Sequence, residues 1–160
     1  ENPNFENIKT VGVFVNETVD NLVTIAKEVN LDAVQLHGDE DEAFIQVLKE
    51  KTDVEVWKAV QIRSAVDAEA WIDSSADMLL FDAYHKDERG GTGEVFDWSC
   101  LDEFERPFML AGGLDSTNVA RAIRTVRPYG IDISSGIETN GVKDDEKIKT
   151  FTNIVRIIAH

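Results

Sequence analysis

Asp82 closes an apolar run, Met78-Leu-Leu-Phe-Asp82. A carboxyl group there has two uses. In a partly apolar site its pKa rises, it stays protonated near neutrality, and it serves as a general acid. Alternatively, it caps the following loop by hydrogen bonding. Two further apolar runs end in glycine. Residues 108–111 lead into Gly112-Gly113, and Ile131-Asp-Ile133 leads into Ser134-Ser135-Gly136. Glycine lets a backbone approach a ligand closely and aim N–H groups at it. A strand ending in such a turn and followed by a helix suits an anion such as phosphate. The other reading is that these glycines only make tight turns, which the repetition one βα unit later disfavours. Asp132, two residues before Ser134, either faces a ligand or pairs with a neighbouring strand end.

The elements that must carry these residues alternate. Apolar, β-rich runs begin near residues 11, 33, 54, 78, 108 and 131. Between them, apolar residues recur at helical spacing. Leu22, Ile25, Ala26 and Val29 form one such face; Phe44, Val47 and Leu48 form the next. Val119, Ala120, Ile123 and Val126 follow, then Ile148, Phe151, Ile154, Val155 and Ile158. Asp39, Glu40, Asp41 and Glu42 read as a solvated helix start that suits the positive end of a helix dipole. Ser64 and Ser116 are expected N-caps. A short helix is expected near Asp97, and Trp57, Trp71 and Trp98 are expected to pack. Residues 83–96 make a longer loop whose Gly90-Gly-Thr-Gly93 reads either as a lid over a site or as a plain surface loop.

Such alternation predicts an α/β fold with a parallel sheet and right-handed crossovers. Two successive glycine turns resemble the phosphate cradle of a (β/α)8 barrel, built by the loops after strands 7 and 8. Six βα units are present, so they count as strands 3 to 8 of a TIM barrel. A closed barrel usually needs at least about 200 residues, and this chain has 160. Residues 1–160 are therefore expected to form a single, partial domain, with open sheet edges that invite self-association or a complementing N-terminal segment.

Composition narrows the function. The chain is 42% hydrophobic and 29% charged, without an apolar run long enough to span a membrane. Its formal net charge is −15, so nucleic acid and anionic membranes are not expected partners. An anionic substrate must be held by local groups against that field. One cysteine, Cys100, forms no internal disulfide and reads as a structural thiol on a short outer helix. A cytoplasmic location is expected. His37, His85 and His160 show no ligand spacing, so no metal is expected, and no cofactor is called for.

Several stretches, in order, resemble one enzyme family. Val11-Gly-Val-Phe-Val-Asn16, Val34-Gln-Leu-His-Gly38, Leu79-Leu-Phe-Asp82, Gly90-Gly-Thr-Gly-Glu-Val-Phe-Asp-Trp98, Leu110-Ala-Gly-Gly-Leu114 and Ile131-Asp-Ile-Ser-Ser-Gly-Ile-Glu138 are similar to phosphoribosylanthranilate isomerase. The resemblance implies tryptophan biosynthesis and an Amadori rearrangement of an aminoaldose to an aminoketose on a phosphorylated small-molecule substrate. It implies that Asp82 is the general acid. It places Gln35 and His37 near the substrate, with a capped turn histidine as the other reading of His37. Gly112, Gly113, Ser135 and Gly136 become the phosphate anchor, with Asp132 beside them. The family's general base is a cysteine in a Lys-Ile-Cys-Gly strand, a motif absent from these 160 residues. The resemblance therefore implies poor catalysis by this chain alone. The alternative is a non-catalytic half-barrel that binds phosphate and self-associates. Another phosphosugar enzyme on the same scaffold is disfavoured by the motifs around Asp82 and Gly90.

Overall fold

The computed structural model describes residues 7–83 and 96–159. Six strands follow chain order in one sheet, β1-β2-β3-β4-β5-β6. They are Val11–Phe14, Ala33–Leu36, Glu55–Gln61, Met78–Asp82, Phe108–Ala111 and Gly130–Ile131. The pairs β1–β2, β2–β3 and β5–β6 are parallel. Chain contacts divide the molecule into two compact units, residues 1–59 with 73–79, and residues 60–72 with 80–160.

In the first unit, α1 (Val19–Val29) and α2 (Glu42–Lys51) pack against each other. Leu22, Ala26, Ile45 and Leu48 are buried with Val34, Leu36 and Val56. The buried face of α2 thus uses Ile45 and Leu48, whereas Val47, expected inside, is 44% exposed. Val29 at the end of α1 is exposed too. A 3.6-residue period marks a stripe, and neighbours at its border are sorted only by what they meet.

In the second unit, β4 contributes Leu80 and Phe81 to a core with Phe108, Leu110, Trp98 and Leu101. The rings of Phe81, Phe104 and Phe108 lie with centroids 5.0, 5.1 and 5.8 Å apart, mostly edge to face. Ser64 caps α3 (Ala65–Glu69) in a capping box with Asp67. Ser116 does not cap α4 (Val119–Val126); Asn118 occupies that place. The reason is a local knot. The Asp115 N–H donates to Asn118 Oδ1 at 2.9 Å, and Asp115 Oδ1 accepts from Thr117 N at 2.8 Å. The buried residues of α4 are Val119, Ala122 and Val126, so Ala120 and Ile123 lie at the stripe's border. Helix α5 (Asp145–Ala159) packs on α4 and buries Phe151.

Candidate functional site

The second unit holds Asp82 and both glycine turns. Asp82 is the last residue of β4 and is half-buried. Its carbonyl accepts from Ile62 N at 3.0 Å, and the next residue, Ala83, donates its N–H to Ala111 O at 3.0 Å. The ends of β4 and β5 therefore lie side by side, with Asp82 next to the strand end that turns into Gly112-Gly113. Both glycines have positive φ, 93° and 66°. The turn is held by Asn118, whose Nδ2 donates to Gly113 O at 2.8 Å. Asp132 follows the end of β6, its N–H donating to Leu110 O at 2.8 Å. β6 is shorter than expected, pairing only at Gly130 and Ile131. Beyond it, Ser135–Ile137 forms a 3-10 turn. Gly136 seats this turn on the first: an added Cβ would lie 1.9 Å from Leu114 O. Gly112, Gly113, Ser135, Gly136 and Asp132 are thus gathered around neighbouring strand ends.

Sequence reasoning missed a lysine at this place. After Glu138 the chain makes a two-stranded hairpin, β7 (Glu138–Thr139) and β8 (Val142–Lys143). Asn140 and Gly141 form its turn with φ of 53° and 77°, the geometry that Asn-Gly favours. That dipeptide was the available signal. The hairpin returns Lys143 to the second glycine turn. Its Nζ donates to Ser134 O at 2.9 Å, to Ser134 Oγ at 3.2 Å and to Glu138 Oε1 at 2.6 Å. Lys147 Nζ donates to Glu138 O at 2.6 Å. Two ammonium groups therefore border the turn in a chain of net charge −15.

Cys100 sits on the 3-10 helix Trp98–Leu101, begun by Asp97, as a half-buried thiol. Burial pushes its pKa up, and the negative charges of Asp97 and Asp67 push it further. The thiol thus stays protonated and is a poor base. It lines a groove of about 490 Å³ with Ala65, Ala68, Ile72 and Phe104, among whose lining residues no glycine-turn residue appears.

The first unit holds Gln35 and His37. Gln35 is buried and His37 half-buried. His37 N donates to Phe14 O at 2.8 Å, extending the β1–β2 ladder by one residue. His37 Nδ1 lies 3.0 Å from Gln35 Oε1. A carbonyl oxygen only accepts, so Nδ1 is the donor in this contact. The acidic run after it is not uniformly solvated, contrary to expectation. Asp41 caps α2, its Oδ1 accepting from Phe44 N at 2.9 Å, while Glu40 is only 6% exposed. Glu42 accepts from Ser74 Oγ at 2.6 Å and Ser75 N at 2.7 Å. Gly90-Gly-Thr-Gly93, His85 and His160 lie outside the described residues. Among the described residues no helix is long and apolar enough to cross a membrane.

Comparison with known proteins gives the chemistry its context. The family model described as N-(5'phosphoribosyl)anthranilate (PRA) isomerase matches residues 3–154. The N-(5'-phosphoribosyl)anthranilate isomerase of Endomicrobium trichonymphae is 47% identical over 151 residues, covering 94% of this chain and 74% of that protein. That of Thermoanaerobacter sp. (strain X514) is 48% identical, covering 93% and 73%. The crystal structure of phosphoribosyl anthranilate isomerase from Thermotoga maritima superposes with a TM-score of 0.82 at 37% identity, covering 94% of this chain and 74% of its own. A phosphoribosyl anthranilate isomerase solved with reduced 1-(o-carboxyphenylamino)-1-deoxyribulose 5-phosphate superposes at 0.78 with 34% identity, covering 94% and 73%. The chain belongs to the N-(5'-phosphoribosyl)anthranilate isomerase family, the (β/α)8-type isomerases of tryptophan biosynthesis.

Proposed function

We propose that this chain supplies the acid and the phosphate anchor for the Amadori rearrangement of N-(5'-phosphoribosyl)anthranilate. Asp82 protonates the ribose ring oxygen as the ring opens to a Schiff base. A base then removes the proton from C2′, and the enolamine tautomerises to the ketone. The Gly112-Gly113 and Ser135-Gly136 turns hold the phosphate with backbone N–H groups, with Asp132 beside it; in the first unit, Gln35 and His37 are substrate contacts by the family resemblance. One observation carries this reading: Ala83 N bonds to Ala111 O, setting the acid's strand end against the strand end that opens the first glycine turn. Catalytic groups of this fold cluster at such ends.

The Lys-Ile-Cys-Gly strand whose cysteine is the base by the family resemblance is not among these 160 residues. Cys100, protonated and on a groove whose lining includes no glycine-turn residue, does not fill the role. A polypeptide of this sequence alone therefore turns over well below the roughly 1–1000 per second of ordinary enzymes. The single cysteine supports a cytoplasmic location.

The test is an assay of the 160-residue chain with N-(5'-phosphoribosyl)anthranilate, alone and with a peptide carrying a Lys-Ile-Cys-Gly strand. The expected result is weak activity, rescue by the peptide, and loss of the rescue by about 100-fold or more in Asp82→Asn. Ordinary turnover by the chain alone, or rescue that survives Asp82→Asn, overturns the reading.

A second reading rests on β1. It ends the sheet order, and Val13 and Val15 are 60% and 65% exposed. An exposed apolar edge favours association. Sedimentation that shows a monomer at all concentrations removes this reading.

A further inference from the structure

Glu40 and Lys58 form a buried ion pair that the reaction does not use, and together they grip one residue, Gly38, by the peptide units on either side of it. They are 6% and 3% exposed, with Lys58 Nζ 3.2 Å from Glu40 Oε1. Lys58 Nζ donates to Gly38 O at 2.7 Å. Glu40 Oε1 accepts from Gly38 N at 2.8 Å, and Oε2 accepts from Asn16 N at 2.9 Å. The N–H and the C=O of Gly38 are therefore both held by the pair.

Asn16 closes the knot from the end of β1. It sits in the left-handed region, with φ of 53°. Its Oδ1 accepts from Asp39 N at 2.7 Å, and its Nδ2 donates to Asp39 Oδ2 at 3.2 Å. No side chain fits at Gly38, where a Cβ would meet Asn16 Oδ1 at 2.4 Å. The register sets Leu36 opposite Lys58 and Gln35 opposite Trp57. Side chains alternate along a strand, so Lys58 rises on the face opposite Gln35. It supports the turn from behind and leaves the Gln35 face to Gln35 and His37.

Burying two charges costs free energy that a well-packed apolar pair would not incur. Here the pair delivers position instead. Burial alone would push the Glu40 carboxyl up. The N–H groups of Glu40, Asn16 and Gly38 and the Lys58 ammonium outweigh it, so the carboxyl is held below its usual range and stays ionised. Clamping both sides of Gly38 fixes the backbone that follows His37. That fixes where the imidazole starts, and the Gln35 contact then sets its tautomer.

We propose that Lys58 and Glu40 are positioning residues that hold His37 in the orientation and tautomer presented to the substrate. The proposal rests on the reading of His37 as a substrate contact. Two measurements separate the two ideas. Nitrogen-15 spectra of the His37 ring report the tautomer without any ligand. In the unaltered chain they show Nδ1 protonated; in Glu40→Gln and Lys58→Met they shift toward a tautomer mixture. Glu40→Gln keeps the side-chain shape, so it carries the test if Lys58→Met fails to fold. Unchanged His37 ring signals in a folded variant overturn the proposal.

Calorimetric binding of reduced 1-(o-carboxyphenylamino)-1-deoxyribulose 5-phosphate is the second measurement. Glu40→Gln and His37→Ala each weaken it about tenfold, and the double variant is no weaker than His37→Ala alone. A merely structural pair gives additive losses, which overturns the proposal. If His37→Ala binds as well as the unaltered chain, the reading of His37 fails, while the ring spectra still decide the positioning role.

Discussion

Gly136 carries the tightest constraint at the candidate site. A methyl group there would lie 1.9 Å from Leu114 O and 3.1 Å from Asp115 Cα, both backbone atoms of the first glycine turn. Backbone does not yield as a flexible side chain does. Gly136→Ala is therefore expected to part the two turns, destabilise the chain by about 1–3 kcal/mol and weaken inorganic phosphate binding. Urea titration and calorimetry measure both. Lys143 tests the electrostatics of the same place. Lys143→Met is expected to weaken phosphate binding, with the deficit shrinking between low and high salt as the charge is screened. Equal affinity at low salt would show that the ammonium does not act on the anion. Asp82 and the glycines were legible in the sequence because each ends an apolar run, and a strand end is a local fact. The burial of Glu40 was not. Four consecutive acidic residues look alike in sequence, and two of the partners that single out Glu40, Lys58 18 residues further on and Asn16 24 residues back, are distant along the chain.

At the scale of elements, alternating runs revealed all six long-sheet strands, and Ser64 was recognisable because its partner Asp67 stands three residues away. Ser116 misled for an equally local reason. Asp115, Ser116, Thr117 and Asn118 are all competent caps, and the winner is set by which side chain closes on the Gly113 carbonyl. The β7–β8 hairpin was passed over because each strand pairs only two residues. Its turn offers a test. Gly141 has φ of 77° and nothing within 4 Å of an added Cβ, so substitution costs backbone strain and nothing else. Gly141→Ala is expected to lose about 1–2 kcal/mol of local stability and to reproduce the phosphate deficit of Lys143→Met. Hydrogen exchange at the hairpin and phosphate calorimetry measure the two effects. A hairpin that loosens without loss of phosphate affinity would separate Lys143 from the anchor.

For the whole molecule, 31 acidic against 16 basic residues make the acid limb of stability the informative one. Partial burial pushes the Glu42 carboxyl up, but donors from Ser74, Ser75 and Gln46 outweigh it and hold it low. Glu40 is held low in the same sense. A carboxyl whose folded pKa lies below its unfolded value adds stability above the ordinary glutamate range, near pH 4. That contribution is lost as pH falls through the folded pKa. The melting temperature should therefore fall on acidification below roughly pH 4, and Glu42→Gln should flatten part of that fall while lowering the plateau above it. An unchanged acid limb in Glu42→Gln would remove Glu42 as a contributor.

The sequence by itself determined the succession of βα units, the two glycine turns and the placement of Asp82 at a strand end. All three follow from local features of the chain: the continuous apolar runs of strands, the 3.6-residue period of helices and the conformational range of glycine. Tertiary structure alone decided that Gly136 meets Leu114, that Lys143 reaches back to Ser134, and that Glu40 is buried against Lys58. Those contacts join residues distant in sequence. Whether a charged group lies in water or is held by a partner depends on the packing that brings the partner to it.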